Sequence, residues 1–115
     1  MITEDELQQI LRAGTYAATG MGKQSPIIIA VTKKELRDQF PEGVDPVYGA
    51  PVILVVLANK AIPTHVYDGS LVMGNLMNAA ESLGVANIWI HRAKEEFESD
   101  FGKNIFADLG IEGEY

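Results

Sequence analysis

Two unbroken apolar runs dominate this sequence, Ile27 to Thr32 and Val52 to Ala58. Neither alternates apolar with polar residues, as a strand with one wet face does. Both are rich in β-branched side chains, which suit a pleated backbone. Strands of this kind want cover on both faces and neighbours on both edges. A third candidate, Asn87 to Ile90, is short, and about three strands is few for such demands. The mismatch points to cover from a second subunit or from chain outside these 115 residues.

The helices read more simply. Thr3 and Glu6 form a capping box, followed by Leu7, Ile10, Leu11, Gly14 and Ala17 on one helical face. This predicts a helix from Glu4 to Ala17. Thr19 to Pro26 is a loop by its two glycines and its proline. Lys33 to Gln39 reads as a short charged helix, and Phe40 to Gly49 as a loop. The longest helix is expected over Asp68 to Leu83, with Leu71, Val72, Leu76, Ala79, Ala80 and Leu83 on a broad apolar face and Met73 and Met77 at its edges. That face exceeds what one small sheet can cover, so a homodimer built on this helix is expected. Gly84 is the natural stop. Ala93 to Phe97 and Asp100 to Leu109 read as closing helices. Strands alternate with helices in one domain over 1–115, so the class is α/β or α+β.

Composition excludes several functions. Lys and Arg number 9 against 16 Asp and Glu, a net charge of −7, and no basic cluster exceeds Lys33, Lys34 and Arg37. A nucleic-acid surface needs a basic stripe, so no nucleic-acid partner is expected. The absence of cysteine removes disulfides, thiolate metal sites and thiol nucleophiles. The first residues, Met-Ile-Thr-Glu-Asp-Glu, are acidic and unlike a secretory signal. The longest apolar run, Pro51 to Ala58, is far too short to span a bilayer. A soluble, cytoplasmic protein with no membrane partner is expected.

Few residues look chemical. Thr19-Gly20-Met21-Gly22 holds a Gly-x-Gly, but it follows a helix and precedes a strand, the reverse of a dinucleotide-binding fingerprint. It is either a helix stop with a turn, or a backbone surface against which a flat ligand lies, with Thr19 and Gln24 offering hydrogen bonds. His65, Asp68 and His91 could suggest a metal site, but their spacing is no known ligand pattern and polar residues at element ends explain them better. Asp68 also suits a helix cap. Trp89-Ile90-His91-Arg92 leaves a strand end, where ligand crevices of open sheets form, or is a plain strand-to-helix turn. No nucleophile elbow and no phosphate-binding loop occur.

In order, these pieces resemble the nitroreductase family of flavin enzymes. Ala17-Ala18-Thr19-Gly20-Met21-Gly22-Lys23-Gln24-Ser25-Pro26 with the following Ile27-Ile28-Ile29 is similar to the family's Ala-Pro-Ser/Thr-x-x-Asn-x-Gln-Pro loop and strand. Tyr48-Gly49-Ala50-Pro51-Val52 fits as well. Asp68 to Ala80, then Leu83-Gly84-Val85 and Trp89-Ile90, looks like the central helix and the strand after it. The resemblance implies an α+β nitroreductase-like fold and a homodimer with FMN at two interface sites. It implies hydride transfer from NAD(P)H through the flavin to a nitroaromatic, quinone or similar small acceptor, in a ping-pong cycle. Ala18, Thr19, Gly20 and Gly22 would line the flavin, and Asp68 would face it. Ile90, His91 and Arg92 would bring backbone amides to its N5 edge, and Met21 would sit in the acceptor pocket. No side chain is implied as catalytic acid or base, and no metal is implied.

The departures are specific. Gly22 stands where the family has Asn, and Ala18 where it has Pro. The family's N-terminal Arg-Ser-x-Arg and C-terminal Leu-Gly-Tyr-Pro segments, which supply most of its phosphate clamp, are not among these residues, so a fold truncated at both ends is expected. Arg12, Lys23 and Arg92 are the nearby basic candidates to hold a phosphate. The rival expectation is a flavin-free relative acting as a dimerisation or binding module.

Overall fold

The computed structural model describes residues 2–37, 51–87, 98, 100–113 and 115. The expected loop Phe40 to Gly49 and helix Ala93 to Phe97 lie outside them, as do Ile90, His91 and Arg92. Helix α1 spans Glu4–Thr15. Its capping box forms as the sequence predicts. Thr3 Oγ1 accepts from the Glu6 amide at 3.1 Å, and Glu6 Oε1 accepts from the Thr3 amide at 2.9 Å. Such a cap stabilises a helix by about 1 kcal/mol. The helix ends two residues before the expected Ala17, where the Tyr16 amide closes on the Ala13 carbonyl. Leu7, Ile10 and Gly14 are its buried stripe, and Ala17 beyond it is buried too.

A loop containing one 3-10 turn, Gly20–Gly22, leads to strand β1, Ile27–Val31. Helix α2 is the single turn Lys34–Arg37. Strand β2, Ile53–Leu57, hydrogen-bonds to β1 in a two-stranded sheet. Among the described residues the sheet holds two strands against the three expected. Asn87 is not in a strand, and the rest of that candidate lies outside the described residues. The strands are also less buried than their composition suggests. Val31, Val55 and Leu57 are buried, whereas Ile27, Ile28 and Ile29 are half-buried, because β1 has one neighbour here.

Helix α3 spans His65–Ser82 and starts three residues before the expected Asp68. Thr64 is its N-cap, and the Thr64 side chain makes no capping bond. The stop is as expected. Gly84 adopts φ 72°, the Gly84 amide donates to the Glu81 carbonyl at 3.0 Å, and the Val85 amide donates to the Ala80 carbonyl at 2.9 Å. This is a Schellman motif, for which a left-handed glycine is the favoured residue. Helix α4, Asp100–Leu109, has the expected bounds and the same ending, with Gly110 at φ 69° and the Ile111 amide on the Phe106 carbonyl at 2.9 Å. No helix among the described residues is long and apolar enough to cross a membrane.

The chain forms two compact units. One comprises Met1–Ile29, Val56–Ile88 and Tyr115; the other comprises Ala30–Val55 and Trp89–Glu114. The first contains α1, α3 and the loop between α1 and β1. Within it α1 packs on α3, and Asn75 Nδ2 donates to the Ala13 carbonyl at 3.0 Å near the end of α1. Gly14 permits the close crossing. A Cβ there would lie 2.6 Å from Leu76 Cδ2 and 2.8 Å from Ile28 Cδ1. Gly14→Ala should gain about 1 kcal/mol of helix propensity but lose about 1–3 kcal/mol to overpacking. Leu76 is itself buried, so the loss should win. The urea midpoint should fall, and an unchanged or higher midpoint would show that the crossing tolerates the methyl.

Candidate functional site

The loop between α1 and β1 carries the unusual backbone of this chain. Met21 sits at φ 54°, ψ 21°, Gly22 at φ 66° and Gln24 at φ 55°. Left-handed conformations cost a non-glycine residue roughly 1–3 kcal/mol and persist only where the surroundings impose them. Here a set of hydrogen bonds within the loop holds them. The Gly22 amide donates to the Thr19 carbonyl at 2.9 Å, and the Lys23 amide to the Gly20 carbonyl at 3.3 Å. The Gln24 amide donates to Thr19 Oγ1 at 2.8 Å, and Gln24 Nε2 reaches the Ala17 carbonyl at 3.5 Å.

The loop is tied to the start of α3 by Asp68. Oδ1 of Asp68 accepts the Gly20 amide at 2.9 Å, and Oδ2 accepts the Thr64 hydroxyl at 2.9 Å. Asp68 is 2% exposed, the most deeply buried side chain described. The approach is possible because residue 20 is glycine. An added Cβ would overlap Thr64 Oγ1 and lie 3.0 Å from Thr64 Cβ. Sequence reasoning marked Asp68 as a cap or a ligand; its tie to Gly20 has no local signal, since the two lie 48 positions apart.

What the loop presents outward is Met21, 93% exposed, and the backbone at Gly22. A Cβ at Gly22 would meet nothing within 4 Å. Ala18 and Lys23 are exposed, and Thr19 is half-exposed. Near the end of the loop, the Ser25 hydroxyl is buried with no hydrogen-bond partner among the described residues. An unpaired buried hydroxyl costs about 1–3 kcal/mol. Of the expected site residues, Thr19, Gly20, Gly22 and Asp68 thus come together, with Ala18 and Met21 on the same loop.

Only two of the three residues of the metal alternative, His65 and Asp68, are among the described residues. His65 Nδ1 lies 2.8 Å from the Ile62 carbonyl, both Asp68 oxygens are engaged at home, and His91 lies outside the described residues. No group of three or more metal-ligating side chains occurs among the described residues.

The outward face of α3 is apolar in its first turns. Tyr67 is 72% exposed, with Val66 and Leu71 also exposed. Sequence periodicity placed Leu71 and Val72 alike on one broad apolar face. Its buried stripe is Asp68, Val72, Leu76 and Ala80, at intervals of four, which turns Tyr67 and Leu71 outward.

No protein-family model and no curated protein matches this sequence. Solved structures do. A nitroreductase with bound FMN from Bacteroides fragilis superposes with a TM-score of 0.80 at 23% identity, covering 97% of this chain and 71% of that one. The chain has the nitroreductase fold. A nitroreductase with bound FMN from Desulfitobacterium hafniense gives a TM-score of 0.79 at 25% identity, over 97% of this chain and 72% of that one. An FMN-dependent nitroreductase from Clostridium difficile gives 0.77 at 22% identity, over 96% and 69%. Against other structures of this fold the chain spans about half of their length, 48% in one case and 56% in another. The α+β nitroreductase fold expected from the loop and helix motifs is therefore present.

Proposed function

We propose that the chain is an FMN-dependent oxidoreductase that passes hydride from NAD(P)H to a nitroaromatic, quinone or similar small acceptor. The observation that supports this most is the open left-handed loop, lying in the stretch whose motif resembles the family's flavin loop. Its residues fit a flat ring. Gly22 offers bare backbone with free space above it, and half-exposed Thr19 lies close to it in the same loop. Bound flavin would supply the redox chemistry, alternating between reductant and acceptor. The chain's own task is then to bind and orient. Ala18, Thr19, Gly20 and Gly22 form the bed, Met21 projects toward the acceptor, and Arg12 and Lys23 are exposed cations suited to a phosphate. The test is direct. Protein refolded with FMN and desalted should keep a yellow flavin spectrum that NADH or NADPH bleaches under anaerobic conditions. A colourless protein would end the proposal.

We further propose a homodimer formed on α3. Val66, Tyr67 and Leu71 make an apolar patch that water contacts in the single chain, and a second copy of the same face would cover it. Light scattering should give the mass of two chains at micromolar concentration. Tyr67→Glu combined with Leu71→Glu should give the mass of one, because like charges would then be buried against each other. A single-chain mass for the unaltered protein would remove the dimer.

A further inference from the structure

We infer that Asp68 is a positioning residue: its carboxylate sets the conformation of the Thr19 to Gln24 loop and does not itself meet the ligand. The effect on affinity rests on the flavin reading above; the effect on the loop does not. Three observations carry it. Asp68 is nearly inaccessible, so a ligand could touch it only by displacing protein. Each of its oxygens already accepts one hydrogen bond at 2.9 Å, one from the Gly20 amide and one from the Thr64 hydroxyl. Gly20 is the residue directly before the left-handed Met21 and Gly22, and its carbonyl accepts the Lys23 amide that closes the turn. Fixing the Gly20 peptide plane therefore fixes the start of the loop. The Thr64 side chain occupies the place where a Cβ of residue 20 would stand, so the loop and the first turn of α3 interlock around this one carboxylate.

The chemistry separates positioning from direct contact. An asparagine at 68 keeps an oxygen for the Gly20 amide, and its amide can donate to Thr64 Oγ1. The geometry survives and only the charge is lost. Alanine removes both bonds. Asp68→Ala, Asp68→Asn and wild type would be compared by amide hydrogen exchange of the flavin-free protein and by FMN titration followed through fluorescence quenching. Loss of a hydrogen bond to a charged group corresponds to roughly 10- to 100-fold in an equilibrium, so exchange at Gly20, Gly22 and Gln24 should accelerate by that factor in Asp68→Ala. FMN affinity should fall by a similar factor. Asp68→Asn should lose clearly less than Asp68→Ala in both measurements, roughly tenfold or less, since both bonds remain though without the charge. Equal loss of FMN affinity in Asn and Ala, with loop exchange unchanged, would overturn the inference and assign the carboxylate to the ligand. Unchanged exchange in Asp68→Ala alone would overturn it too. If wild type takes up no FMN, the exchange comparison still decides, and only the flavin reading fails. Should Asp68→Ala not fold, Thr64→Val removes one donor while keeping the shape. Gly20 exchange should then rise by roughly 3- to 10-fold, less than in Asp68→Ala because the Gly20 bond to the carboxylate itself remains, and no rise would count against the inference.

Discussion

Gly20→Ala should be among the most damaging single-methyl additions in the first unit, and Thr64→Gly should repair much of the damage. The new Cβ overlaps the Thr64 hydroxyl and crowds Thr64 Cβ and Cγ2, at 3.0 and 3.1 Å. Either the loop backs away from α3 or Thr64 turns aside. In the first case the Gly20 amide leaves Asp68; in the second the Thr64 hydroxyl does. Overpacking costs about 1–3 kcal/mol and a lost bond to a charged group about 1.5–3 kcal/mol. A fall in stability of about 2–4 kcal/mol is therefore expected, since the two routes are alternatives that overlap only in part. Thr64→Gly alone should cost about 1.5–3 kcal/mol for its hydroxyl, with only a few tenths at the N-cap, where glycine is acceptable. The double variant has room for the methyl and keeps the Gly20 amide on Asp68. It should be more stable than the two single losses added together by at least about 1 kcal/mol. Urea denaturation of the four proteins measures this. Additivity within about 0.5 kcal/mol would mean that the two residues do not press on one another.

What the sequence revealed divides along physical lines. Local signals were legible. The Thr3 and Glu6 box starts α1, and Gly84 and Gly110 end α3 and α4, because each acts within five residues of itself. The two strands fall within one residue of their apolar runs at each end. The start of α3 was misplaced because Asp68 has the type and position of a cap, yet its carboxylate is used across the chain by Gly20. Residues 71 and 72 are both apolar, so periodicity alone does not choose which of them the core takes. Packing chooses Val72, in register with Leu76 and Ala80. The loop was legible as a loop, and the family motif marked its place. Its left-handed backbone at Met21 and Gln24 was not, since neither residue type favours that region and only the surrounding bonds impose it.

Gly22 bears the remaining prediction, and the structure sharpens what substitution there should do. The family motif has Asn at this position; here glycine lies at φ 66° with nothing within 4 Å of a built Cβ. A Cβ there therefore meets no steric obstacle among the described residues, and its cost is conformational. Asn tolerates left-handed φ because its short polar side chain bonds locally, so Gly22→Asn should leave stability nearly unchanged. Valine is β-branched and resists that region, so Gly22→Val should lose about 1–2 kcal/mol or twist the loop out of shape. Flavin affinity should separate the two more widely. Asn restores a donor that glycine lacks, and one added hydrogen bond of about 1 kcal/mol should tighten FMN by roughly fivefold. Valine places two methyls on the face left bare for the ring and disturbs Met21 beside it, so affinity should fall by roughly tenfold or more, as for the loss of a single good contact. Fluorescence titration with FMN gives both numbers, and urea midpoints remove the part due to stability. If both variants are as stable as wild type and bind FMN alike, the 19–24 loop is a turn and nothing more. The fold would then serve a flavin-free chain, whose exposed α3 face becomes the surface to explain.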